Sequence, residues 1–218
     1  MLITFDVVVS TKIVQQSTTP ERVILGIDPG TTIMGYGVIV TKGKKMSLVD
    51  LNVLNLTKIE NHPLKLKKIF ETLLELIEKY QPDELAIEAP FFAQNVQSLI
   101  KLGRAQGAAI AAALERDIPV FEYLPKKIKQ AVTGNGNASK QQVAAMLSTL
   151  LQTPTDHFKN DATDALGAAY CHFLRMNDPT TTAVTSTTSR TTKTKATSGS
   201  KKKQAWEQFL RSNPDRQL

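Results

Sequence analysis

An α/β fold, a mixed five-stranded sheet flanked by helices on both faces, is what this sequence predicts, and three features predict it. Residues 22–55 alternate short apolar runs with turn residues, at the spacing of strands. Leu64, Ile69, Leu73, Leu76 and Ile77 then recur at helical spacing. Beyond them, short strand-like runs alternate with long helical stretches, the pattern of a sheet whose later strands are joined by covering helices.

The elements follow in order. Residues 1–21 read as an N-terminal extension, a short apolar piece and then Gln15-Gln16-Ser17-Thr18-Thr19-Pro20. Three strands, at 22–28, 35–41 and 46–55, form a meander. A helix over 63–80 ends at Gln81-Pro82-Asp83, before a strand at 84–88. That strand, Leu85-Ala86-Ile87, shows no alternation and so reads as buried on both faces. An Ala-rich helix covers 95–115, a short strand 118–122, and helices 125–132, 139–151 and 161–175. Gly103, Gly107, Ala108, Ala109, Ala111, Ala112 and Ala113 make the helix at 95–115 thin-faced, which allows close packing on the sheet or on a second copy. The folded domain is read as 22–177. Residues 178–218 form a basic Thr/Ser/Lys-rich tail that cannot bury enough surface to fold alone and is expected to be largely disordered. Near its end Trp206, Phe209 and Leu210 stand at helical spacing, either to dock back or to bind a partner.

Four carboxylates stand out. Asp28 ends the apolar run Val23-Ile24-Leu25-Gly26-Ile27, and Pro29-Gly30-Thr31-Thr32 follows at once. Glu88 ends the run Leu85-Ala86-Ile87. Asp161 and Asp164 are three apart at the start of a helix and share a face. Acids placed just past buried strands are hard to explain by packing, because acidic side chains are rarely buried unless paired or bound to metal. Each has a duller explanation taken singly: a strand-to-turn Asp, a loop Glu, a pair of helix-capping Asp residues. Together they suggest a hard-cation site. Oxygen-only ligation favours Mg²⁺, with Mn²⁺ as a substitute, and two such ions about 4 Å apart can activate water and stabilise a leaving oxygen. His157 and His172 are read as structural.

The formal charge is +7, and residues 178–218 carry eight Lys and Arg against three Asp and Glu. A nearly neutral globule with a basic tail suits a polyanionic partner, although such tails also serve solubility alone. The single cysteine, Cys171, excludes an intramolecular disulfide and a Cys-based zinc site, and it reads as a packed thiol in an apolar helix. No apolar run approaches the ~20 residues needed to span a bilayer, so a cytoplasmic protein is expected.

These pieces together resemble the RuvC family of Holliday-junction resolvases, which has the RNase H-like fold. The matching stretches are Ile24-Leu25-Gly26-Ile27-Asp28-Pro29-Gly30 with Gly35-Tyr36-Gly37-Val38, then Ala86-Ile87-Glu88, then Leu102-Gly103-Arg104-Ala105-Gln106-Gly107. Pro119 to Tyr123, Ile128 to Gly136 and Asp161-Ala162-Thr163-Asp164-Ala165 complete the series. The resemblance implies a homodimer that nicks opposed strands of a four-way DNA junction during recombination and repair, alongside the RuvA and RuvB branch-migration proteins. It implies Asp28, Glu88, Asp161 and Asp164 as catalytic metal ligands. Lys129 and Lys140 would contact DNA phosphates, and Phe91 and Phe92 would stack on unpaired bases at the crossover.

Three other readings compete. One is an RNase H-like nuclease acting on another nucleic acid, such as an RNA–DNA hybrid. Another is a junction-binding protein without catalysis. The turn at 28–32 also resembles the phosphate-binding turn of actin and the heat-shock ATPases, but the second Gly-rich phosphate motif of that class is missing.

Overall fold

The computed structural model describes residues 20–90, 95–152 and 159–178. The expectations for the N-terminal extension up to residue 19 and for the tail from residue 179 lie outside them. The strands are β1 (Glu21–Asp28), β2 (Ile33–Lys42), β3 (Lys45–Asn55), β4 (Glu84–Glu88) and β5 (Val120–Tyr123). The helices are α1 (His62–Tyr80), α2 (Val96–Leu114), α3 (Pro125–Thr133), α4 (Lys140–Leu151) and α5 (Asn160–Met176). The element order is the expected one. β5 starts two residues later than expected, because Pro119 has no N–H to donate to a ladder. Its carbonyl still accepts from the Leu85 backbone N–H at 2.9 Å.

The sheet runs β3-β2-β1-β4-β5. β1, β2 and β3 form an antiparallel meander, whereas β4 lies parallel to β1 and β5 parallel to β4. Alternation along each strand sorts side chains to two faces. Leu25, Ile27, Val38, Leu85 and Ile87 face α1 and α2, where Ile69, Leu73, Ala105 and Ala109 close the core. Ile24, Ile39, Leu51 and Ala86 face α3, α4 and α5, packing on Ile128, Leu147 and Leu166.

Local chemistry fixes the helix ends. Asn61 caps α1 by accepting from the Leu64 N–H, and Ser139 with Gln142 forms a reciprocal capping box at α4. Gln81 and Gln152 end α1 and α4 in the left-handed conformation. α5 differs, because its cap position holds Lys159 and no side chain caps it. Its residues from Ala165 to Phe173 are all buried.

α5 seats so deeply because glycines line the strands beneath it. A β-carbon at Gly35 would lie 1.8 Å from the Asp161 carbonyl oxygen, and one at Gly26 2.2 Å from that of Ala165. Gly35→Ala therefore forces the first turn of α5 off the sheet. An expected cost of about 1–3 kcal/mol, the range for an overpacked core, should lower the urea midpoint of unfolding. An unchanged midpoint would show that α5 is not held at backbone contact.

Candidate active site

β1 and β4 are parallel, with Ile27 opposite Ile87, so the next residues, Asp28 and Glu88, end neighbouring strands at one edge of the sheet. The alternation that sends Ile24 and Ala86 toward α5 sends Asp28 and Glu88 to the same side. Asp28 is also paired across the sheet with Gly35, the residue against which the Asp161 backbone rests. The two strand-end acids thus meet the opening turn of α5, which carries Asp161 and Asp164. The sequence could place each acid on its element, but only this stacking brings all four to one edge.

Electrostatics tie them together. Burial, then the charges of Glu88, Asp164 and Asp161, push the Asp28 carboxyl up to about 8, with Lys140 opposing the shift. Burial and Asp164 raise Glu88 to about 7, against the pull of Lys140 and Lys129. Lys140 donates to Asp164 Oδ2 at 2.5 Å. Burial works against the charge on Lys140, but this bond and the charges of Asp164, Asp28 and Asp161 outweigh it and raise its pKa.

Excess negative charge on an all-oxygen donor set is the environment a hard divalent cation relieves. The chemistry of the donors fits such an ion. The side chains are electrostatic neighbours rather than a closed cage: among the described residues, no three His, Cys, Asp or Glu side chains converge tightly enough to hold one.

Of the other expected site residues, Lys129 lies on α3 within electrostatic reach of Glu88, and Lys140 opens α4. Phe91, Phe92 and His157 lie outside the described residues. His172 is 2% exposed and sits away from the four acids. One of its ring nitrogens, Nδ1, shares a 2.7 Å hydrogen bond with the Tyr123 hydroxyl, and the other, Nε2, meets Glu84 Oε2 at 2.9 Å. Cys171 is a buried free thiol, as expected, and burial pushes it up to about 11.

Sequence reasoning missed this Glu84–His172–Tyr123 chain, which Arg22 extends through a 3.0 Å ion pair to Glu84. It ties the far half of α5 to β4 and β5, and Tyr123 stands beside Glu88 in the ladder. The one available signal was a polar residue, His172, inside an otherwise apolar helical run. A groove of about 540 Å³ lined by Thr133, Asn135, Gln142 and Met146 lies on the α3–α4 side and includes none of the four acids.

The chain as a whole is similar to several known proteins. Residues 24–172 match the family described as crossover junction endodeoxyribonuclease RuvC. A crossover junction endodeoxyribonuclease RuvC from Cytophaga hutchinsonii is 51% identical over 198 residues, covering 91% of this chain and 89% of its own. Its counterpart from Bacteroides fragilis is 52% identical, covering 90% of this chain and 96% of its own. Among solved structures, T. thermophilus RuvC in complex with a Holliday junction substrate superimposes with a TM-score of 0.67 at 33% identity, over 72% of this chain and 95% of that one. The yeast mitochondrial Holliday junction resolvase Ydc2, at 18% identity and a TM-score of 0.53, shares the fold.

The raised carboxyls have a measurable consequence. Asp28 and Glu88 bind protons more tightly folded than unfolded, so without added metal the folded state loses stability as pH rises from the ordinary carboxylate range through about 7 and 8. Asp28→Asn removes the largest of these costs. In chelator it is expected to raise the Tm at pH 8 by about 2 °C or more, with little gain at pH 4. Equal melting at both pH values would show that Asp28 ionises normally.

Proposed function

The chain belongs to the RuvC family of crossover junction endodeoxyribonucleases, and on that premise we propose that its Asp28–Glu88–Asp161–Asp164 edge is the catalytic centre that cuts four-way DNA junctions. The observation that carries this reading is the convergence of acids from β1, β4 and α5 on one edge, with Lys140 among them. The four acids are the proposed ligands for Mg²⁺, with Mn²⁺ as the substitute. Such ions supply an activated water and stabilise charge on the leaving oxygen when bound.

The chain's own groups do the rest. Asp28 and Glu88, held by the rigid sheet, fix the position of the donor oxygens, while Asp161 and Asp164 arrive on a helix locked at backbone contact. Lys140 holds Asp164 and offsets negative charge that would otherwise repel DNA. Lys129 lies on the Glu88 side, where a strand phosphate entering the edge would pass. Phe91 and Phe92, directly after the β4 loop begins, are proposed to stack on unpaired bases at the crossover.

Symmetric cutting of opposed strands needs two such edges, and we assign the dimer contact to the outward face of α2. Ala105, Ala109 and Ala112 of this helix are buried on the sheet side. On the opposite side Val96, Ile100 and Leu114 are exposed, and a β-carbon on Gly103 or Gly107 would meet nothing within 4 Å. RuvA and RuvB are the partners that family membership brings to the proposal.

A labelled mobile four-way junction, beside matched duplex and RNA–DNA hybrid, tests the activity. Paired, ligatable nicks on opposed strands are expected with Mg²⁺ and not with chelator. Cleavage of the hybrid alone would identify a different nuclease, and binding without cutting a junction-binding protein. Asp28→Asn and Asp161→Asn are each expected to lower the cutting rate by at least about 100-fold while junction affinity changes little. Ile100→Glu is expected to convert the dimer to monomers in sedimentation, and a dimer that persists would place the contact elsewhere.

A further inference from the structure

We propose that His62, Lys65, Lys101 and Arg104 form a second phosphate-binding patch, beside the catalytic edge on the α1–α2 face, that holds the backbone of a DNA arm. The inference rests on the reading of the chain as a junction nuclease.

Topology puts the patch there. β3 runs parallel to β1 because each is antiparallel to β2, so α1 begins at the same edge as Asp28. α2 follows β4, whose last residue is Glu88, and begins at that edge too. The Lys65 ammonium donates to the Thr31 carbonyl at 2.8 Å, in the turn directly after Asp28. Lys101 and Arg104, one turn apart on α2, lie on its flank toward α1.

Up to its last turn, where Lys79 stands, the charge order on α1 is the reverse of what its own dipole favours. His62, Lys65, Lys67 and Lys68 occupy its opening turns, while Glu71, Glu75 and Glu78 lie in its second half. Neither α1 nor α2 has an acid in its first turn. Helix N-termini carry partial positive charge, and a cation there costs about 0.3–1 kcal/mol. Lys67 and Lys68 reach back to Glu71 and Glu75. Lys65, Lys101 and Arg104 have no carboxylate within ion-pair distance among the described residues.

His62 marks the centre. Its Nε2 is buried without a hydrogen-bond partner, and among the described residues the Thr72 hydroxyl is the other such buried side-chain atom. Burial, then Arg104, Lys101 and Lys65, hold its imidazole below the usual histidine range. A set of cations from two helices around an imidazole whose Nε2 lacks a partner is unfavourable alone and is relieved by an anion. With Lys129 and Lys140 on the other face, the patch would let DNA approach the acids between two positive margins.

The test is junction affinity of the full chain, in chelator so that nothing is cut, across roughly 50–300 mM salt. Lys101→Gln with Arg104→Gln is expected to flatten the log–log salt slope by about 2, near 0.9 per lost phosphate contact. Affinity at about 150 mM salt is expected to fall roughly tenfold or more. Arg104→Lys keeps the charge and is expected to keep the slope. An unchanged slope in the double variant, or an equal loss in Arg104→Lys, overturns the patch. If the parent chain neither binds nor cuts the junction, the reading of function fails first.

Discussion

Helix α5 rests on the sheet at backbone contact because Gly26, Gly35 and Gly37 present no side chains on that face, and the site depends on this seating. Asp28 and Glu88 need only the parallel pairing of β1 and β4 to become neighbours. Asp161 and Asp164 reach them only if the opening turn of α5 lies within a van der Waals radius or two of β2. Glycine at these positions is therefore a statement about function as much as packing. The chain from surface Arg22 through Glu84 to buried His172 and Tyr123 fastens the same helix at its other half. Between a close approach at one end and a hydrogen-bonded anchor at the other, the helix has little freedom to slide. That rigidity is what a site built from charged groups requires, since like charges left to relax would move apart.

Much of this was legible in the sequence because the relevant signals are local. Asp28 and Glu88 each end an apolar run with no polar alternation, so the strand, its burial and its terminal acid can all be read within a few residues. The helical spacing of Leu64 to Ile77 is likewise local. What escaped reading was long-range. Lys140 and Asp164 stand 24 positions apart, and His172 and Glu84 88 apart, and no periodicity announces either pair. Asp161 and Asp164 looked like candidate helix caps, yet the cap position belongs to Lys159. The Gly and Ala residues of α2 allowed packing on the sheet or on another copy. Its buried face meets the sheet, and the proposal gives its exposed face to the second copy.

The distribution of charge is as informative as the acids themselves. An acidic edge repels a polyanion, so at the proposed cutting edge the approach has to be made favourable from the sides. Lys129 and Lys140 stand on the α3–α4 side and the His62–Arg104 group on the α1–α2 side. Both belong to helices that open at the same edge of the sheet. In the first turn of α1 the cations oppose the helix dipole, a local cost that the proposed anion would offset.

The three segments that supply the acids are also far apart in the order of synthesis. β1 leaves the ribosome early, β4 some sixty residues later, and α5 follows every other described element. Domains are made from the N-terminus onward. A nascent chain can therefore hold a folded meander and even the Asp28–Glu88 pair while two of the four acids are still missing. On the proposed assignment the last helix completes the centre, so a chain that stops before α5 would lack two of its four acids, and cutting would be withheld until that helix is made and seated.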